Sequence, residues 1–130
     1  MTHQIKRGEI YYVELGKTIG SEQSGVRPSL IVQNDVGNLH SPTTQIIPLT
    51  TQRKKVGQPT QVIISSVRGI DPSSTALAEQ LRTIDKQRID AYIGRISSVE
   101  LIAIDKAMSI SLGMDAPTPE GGVGALEVAA

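Results

Sequence analysis

Neither phenylalanine nor tryptophan occurs in this chain, and that lack sets the terms on which it can fold. A hydrophobic core has to be assembled from Ile, Val, Leu and Ala, with Tyr11, Tyr12 and Tyr92 as the only large rings. Branched aliphatic side chains suit the pleated surface of short strands better than a helical bundle. The chain has 130 residues, enough for one domain around one core and too few for two comfortable ones. Cysteine is absent, which removes disulfides, thiol nucleophiles and cysteine-bound zinc. No apolar run approaches the ~20 residues of a membrane span, and the N-terminus lacks the apolar segment of a secretory signal. A soluble cytoplasmic protein with no membrane partner is expected.

The formal net charge is zero, but it is unevenly spread. Residues 1–70 hold eight basic side chains (Lys6, Arg7, Lys17, Arg27, Arg53, Lys54, Lys55, Arg68) against four acids (Glu9, Glu14, Glu22, Asp35). The remainder is acidic by the same margin. Phosphate binding leaves a local basic footprint, so the asymmetry permits an anionic ligand in the N-terminal half. Scatter over a solvated surface would look the same.

Along the chain, Glu9 to Leu15 is rich in β-formers and reads as a first strand. Residues 16–25 carry three glycines and small polar residues without periodicity, which suggests a long mobile loop. Pro28 has no N–H and belongs at the start or edge of a strand over Ser29–Gln33. Asn34-Asp35 and Gly37-Asn38 are turn pairs. Further strands are expected at Gln45–Leu49, Thr60–Ser65, Thr75–Leu81 and Tyr92–Ile96, with a turn at Arg53-Lys54-Lys55 and a helical turn around Asp85–Arg88. Ser97-Ser98-Val99-Glu100 is a capping box. Leu101, Ile104, Met108 and Leu112 follow at helical spacing, and Gly113 stands where a left-handed cap belongs. The domain is expected to span 1–113, leaving 114–130 as a disordered tail without a role in the chemistry. Short strands plus one C-terminal helix suggest a strongly bent antiparallel sheet or small barrel.

The chemistry is narrowed by elimination. His3 and His40 are the only histidines, neither has a nearby second ligand, and both read as surface residues. No phosphate-cradling or dinucleotide-binding glycine motif is present. No cofactor and no metal are expected. An enzyme built on this chain would work with Arg, Thr, Ser, Glu and Gln.

The run Gly20-Ser21-Glu22-Gln23-Ser24-Gly25-Val26-Arg27-Pro28, opened by Lys6-Arg7-Gly8-Glu9-Ile10-Tyr11, resembles the signature of the MazF/PemK/Kid toxin family. The likeness continues through Ile31-Val32-Gln33-Asn34-Asp35, Pro48-Leu49-Thr50-Thr51-Gln52 and Ala78-Glu79-Gln80-Leu81-Arg82-Thr83-Ile84-Asp85-Lys86. It ends at Ala107-Met108-Ser109-Ile110-Ser111-Leu112, so collinear motifs span about residues 6 to 113. The resemblance implies a mostly β SH3-like small barrel with a C-terminal helix. It further implies a homodimer and a metal-independent endoribonuclease toxin that cleaves single-stranded mRNA at a short sequence and so blocks translation. The partner implied is a cognate antitoxin whose acidic, disordered C-terminal segment occupies the RNA groove. The positions matching the family's catalytic residues are Arg27 and Thr50. Ser21, Glu22, Gln23, Gln80 and Arg82 match segments that hold RNA.

The chemistry of those side chains agrees with the implied role. Cutting RNA without a metal requires the 2′-OH to attack its own phosphate while negative charge gathers on the phosphoryl oxygens. Arg27 offers a planar, permanently charged fork for that charge. Thr50 can donate its hydroxyl to a phosphoryl oxygen or position the 2′-OH. Glu22 is the one nearby acid in sequence that could act as a base, but its match is to RNA binding, and the base is left unassigned. The expected ends are a 2′,3′-cyclic phosphate and a 5′-hydroxyl. With so few rings, base stacking would fall to Tyr11, Tyr12 or an arginine. Two rival readings stay open: a barrel that binds without cutting, and a toxin of the same fold directed at a protein such as a topoisomerase.

Overall fold

The computed structural model describes residues 4–52 and 58–115. His3, the Arg53-Lys54-Lys55 turn and the tail from residue 116 onward lie outside them. The elements are β1 (Glu9–Glu14), β2 (Val26–Ile31), α1 (Asp35–His40), β3 (Thr43–Thr50), β4 (Gln61–Ile63), β5 (Thr75–Leu77), β6 (Arg82–Asp85), β7 (Ile89–Arg95) and α2 (Ser98–Ser111). Two 3-10 turns, Ala78–Gln80 and Lys86–Arg88, flank β6.

Strand alternation builds a core on each face of the sheet. Ile10, Leu30 and Ile47 stand opposite one another across β1, β2 and β3, and they join the cluster that Ile104 and Ala107 of α2 cover. Their neighbours Tyr11, Ile31 and Ile46 face the other way, with Val13, Ile84 and Ile89. From Ile46 to Thr50, β3 is buried without a break because it carries both cores. This is how a chain without Phe or Trp reaches a dry interior.

The expectation of a closed SH3-like barrel is corrected. The strands form one open sheet in the order β4-β5-β3-β2-β1-β7, with β6 pairing β3 beside that path. Strands β6 and β7 follow each other across the Lys86–Arg88 turn, yet β6 pairs β3 and β7 pairs β1. No ladder joins them. Irregular register between β1 and β7, on either side of Tyr11, bends that edge instead of closing it. Mostly β with one C-terminal helix is the observed architecture.

Other differences have local causes. The expected strand Thr75–Leu81 is broken after Leu77, because β3 takes two partners along one edge. It pairs β6 at Thr43–Ile46 and β5 at Leu49–Thr50, and the Ala78–Gln80 turn is the step between them. Pro28 lies inside β2, where β3 is no longer its neighbour. Helix α1 replaces two expected turns. The Asn34 side chain caps it by accepting the Gly37 N–H at 2.8 Å. Asn38 is buried, donating to the Gln33 carbonyl at 2.9 Å and accepting from the Thr44 hydroxyl at 2.7 Å.

Helix α2 has the expected capping box, with the Glu100 N–H on Ser97 Oγ at 3.1 Å and the Ser97 N–H on Glu100 Oε1 at 3.3 Å. Its far end closes around Gly113, at φ 75°, with the Met114 N–H on the Ser109 carbonyl and the Gly113 N–H on that of Ile110. Leu112, expected on the buried stripe, is exposed, and Ala107 fills the core in its place.

Candidate active site

The site begins where two paired strands part. β2 and β3 are partnered only as far as Ser29 opposite Pro48. Beyond that point Leu49 and Thr50 pair with β5, while Arg27 and Pro28 have only β1 beside them. Between the diverging strands lies a cavity of about 270 Å³ bordered by Tyr12, Arg27, Pro28, Leu49, Thr50 and Asp71, among others. Arg27 and Thr50, separated by 23 positions in the chain, are thus brought to one cavity.

Each is half committed. Arg27 donates through Nε to the Ser24 carbonyl at 3.0 Å, and neither Nη makes a hydrogen bond among the described residues. The fork is oriented and still able to clamp an anion. Thr50 is 5% exposed, and its Oγ1 accepts the Gln52 N–H at 3.1 Å. Its own hydroxyl proton therefore stays available for donation. The arrangement offers a fixed cation and an oriented hydroxyl donor to a group with charged oxygens.

A second cavity, of about 530 Å³, gathers the other candidates: Glu22, Gln23, Gln80 and Arg82 border it with Lys17 and Pro48. The loop over 16–25 is pinned rather than left loose. Gln80 accepts the Gln23 N–H at 2.8 Å and donates to the Ser21 carbonyl at 3.1 Å. The Glu22 carboxylate accepts the Ile19 N–H at 2.9 Å. Gly25 pairs back onto Gly16, and both take positive φ. The Gln23 side-chain oxygen is buried without a partner among the described residues. Gln80 and Arg82 reach this cavity from a turn and a strand start, not from alternate positions of one strand.

Several placements could not be read from spacing. Glu22 borders the second cavity, and the acid beside Arg27 and Thr50 is Asp71. It arrives through close packing: a Cβ on Gly69 would lie 2.7 Å from Ile93 Cγ2, and one on Gly94 2.6 Å from Val67 Cγ1. The segment before Asp71 therefore rests directly on β7. Of the rings, Tyr11 is buried, with its hydroxyl on Glu9 at 2.9 Å, while Tyr12 is 39% exposed at the Arg27 cavity. Burial, reinforced by Glu9, pushes the Tyr11 hydroxyl well above its ordinary range. Among the described residues Tyr12 is the one ring that borders this cavity. Arg7, counted among the basic residues of the N-terminal half, binds Asp105 of α2 and the Val32 carbonyl. Among the described residues no group of three or more His, Cys, Asp or Glu is placed to share a metal ion. No helix among them is long and apolar enough to cross a membrane.

Residues 6–112 match the family described as PemK-like, MazF-like toxin of type II toxin-antitoxin system. The chain belongs to that family. Among PemK/MazF relatives, Endoribonuclease EndoA of Bacillus subtilis (strain 168) is 43% identical over 111 residues, covering 85% of this chain and 96% of that one. Endoribonuclease MazF of Staphylococcus epidermidis is 41% identical over 112 residues, covering 85% and 93%. A mycobacterial endoribonuclease solved in complex with its cognate antitoxin superposes with a TM-score of 0.72 at 26% identity, covering 87% of this chain and 99% of that one. MazF (Form-I) from Deinococcus radiodurans reaches a TM-score of 0.75 at 23% identity, covering 86% and 99%, a likeness of fold.

Proposed function

We propose that this PemK/MazF-family toxin is an endoribonuclease that cuts single-stranded RNA at a short sequence, with Arg27 and Thr50 at the scissile phosphate. The observation that carries the reading is their convergence on one cavity where β2 and β3 part. A phosphate seated there meets the Arg27 fork and the Thr50 hydroxyl together. As the 2′-OH attacks, the growing charge on the phosphoryl oxygens is met by donors already in place. Arg27 stabilises that charge and can donate a hydrogen bond to the departing 5′-oxygen, while the 2′-OH proton passes to water and water supplies the proton that completes the 5′-hydroxyl. Glu22, Gln23, Gln80 and Arg82, around the neighbouring cavity, hold the strand on either side with Ser21, which does not border that cavity but whose carbonyl accepts from Gln80.

No step calls on a metal. Incubated with a long natural RNA in excess EDTA, the protein is expected to leave 2′,3′-cyclic phosphate and 5′-hydroxyl ends at one recurring sequence. Intact RNA, or cleavage that depends on added Mg²⁺, would overturn the mechanism. Intact RNA is also what a binding module or a protein-directed toxin would give.

The relatives' antitoxin complexes support neutralisation by a cognate antitoxin. We place its acidic, disordered C-terminal segment on the surface that RNA uses, since carboxylates and phosphates seek the same arginines. Two-fold pairing into a homodimer would repeat that surface. The acidic segment is therefore expected to displace labelled, non-cleavable RNA, and raised salt to weaken both. RNA that stayed bound at saturating peptide would refute the shared surface.

A further inference from the structure

Asp71 borders the cavity that holds Arg27 and Thr50, and the cleavage just described gives it no part. A negative charge beside a phosphate is unfavourable unless it faces some other part of the substrate. The geometry says what it is fit for. Ser73 donates both its hydroxyl, at 2.6 Å, and its N–H, at 2.8 Å, to the same oxygen, Oδ1. Those bonds hold the carboxyl below its ordinary value, so at neutral pH the group is an ionised hydrogen-bond acceptor. Oδ2 makes no hydrogen bond among the described residues. Tyr12 borders the same cavity and is 39% exposed, a ring on which a base can stack.

A stacking ring and an oriented acceptor together describe a nucleobase site. Adenine, cytosine and guanine each carry an exocyclic amino group, whereas uracil carries carbonyl oxygens on either side of its ring N–H. An ionised acceptor attracts a base that turns an amino group to it and repels the carbonyl oxygens of uracil. We propose that Asp71 is a specificity-determining residue that selects a base with an amino group over uracil at one position next to the scissile phosphate. This rests on the endoribonuclease reading above.

The two Ser73 donors make a sharp test available. In Asp71→Asn they would hold the amide with its carbonyl oxygen toward Ser73, which leaves the NH₂ as a donor facing the base. That variant should shift its preference toward uracil at the position where the native protein prefers an amino base. Asp71→Ala should lose the preference without reversing it. Cleavage ends from one long natural RNA would locate the position, and kcat/KM on short RNAs differing only there would measure it. The ratio of rates on amino bases to uracil should fall about tenfold or more in Asp71→Asn, with the other positions unchanged. Native preference at every position in Asp71→Asn would overturn the proposal and leave the nuclease standing. So would an equal loss of rate on all RNAs, since a merely structural role cannot reverse a base preference. If the native protein leaves RNA intact, the nuclease reading falls and this one with it.

Discussion

Arg27 is anchored through one nitrogen, Nε on the Ser24 carbonyl, and that economy decides what its replacement does. Truncation to Ala removes one exposed hydrogen bond, worth about 1 kcal/mol or less to the fold. The same change removes the only cation bordering the Thr50 cavity among the described residues, which should slow cleavage ~10²–10³-fold. Arg27→Lys should recover little, because an ammonium keeps the charge and loses the planar fork. Rates on a labelled RNA, read beside thermal melts, would check both; near-native cleavage by Arg27→Ala would place the chemistry elsewhere. Both Arg27 and Thr50 were legible as single residues through the motifs around them. Their meeting was not, because it depends on β3 leaving β2 after Pro48, a matter of register that residue types do not encode. Asp71 was hidden for the same reason. It lies between β4 and β5, and only packing of its segment on β7 carries it to the site. Tyr11 and Tyr12 were equivalent on paper, and one residue of strand phase sends the first into the core and the second to the cavity.

Helix α2 is the element the sequence announced most clearly, because capping is local chemistry written in neighbouring residues. Glu100 also does something no local pattern shows. Its carboxylate accepts the Ser65 N–H at 2.9 Å and the Ser66 hydroxyl, which ties the start of the helix to the chain after β4. Burial raises its pKa, but the bonds from Ser66, Ser65 and Ser97 outweigh that and hold it below the ordinary value. A carboxyl depressed in the fold adds stability above its unfolded pKa and loses it as pH falls through the folded one. Glu100→Ala should therefore cost about 1–3 kcal/mol at neutral pH. The gap to the native protein should narrow once the pH drops well below about 4. Urea melts at pH 7 and pH 3 would check this, and a gap unchanged at pH 3 would show that the charge is not what holds the helix. Helix α1 is the opposite case. Asn34 is a good cap, but Gly37 inside the helix imitates a turn, and the buried bonds of Asn38 that make the helix worthwhile come from Gln33 and Thr44.

At the scale of the molecule, the aliphatic composition foretold strands and the strand spacing left a bent sheet and a small barrel both open, and closure was decided by who pairs with whom. β1, the first strand, takes its second neighbour from β7, the last, while β6 goes to the other side of the sheet. That pairing has a consequence in time. A chain growing from its N-terminus can bring Arg27 and Thr50 together early, yet β1 lacks its second neighbour until residues 89–95 exist. The N-terminal core and the segment that carries Asp71 both lean on that late strand. A fragment ending at residue 88 should thus be degraded quickly by added protease and leave RNA untouched, whereas one ending at 113 should resist and cut. Activity in the shorter fragment would show that the early strands suffice. Otherwise a ribosome interrupted before residue 89 releases something harmless, and the poison exists only once β7 has been made.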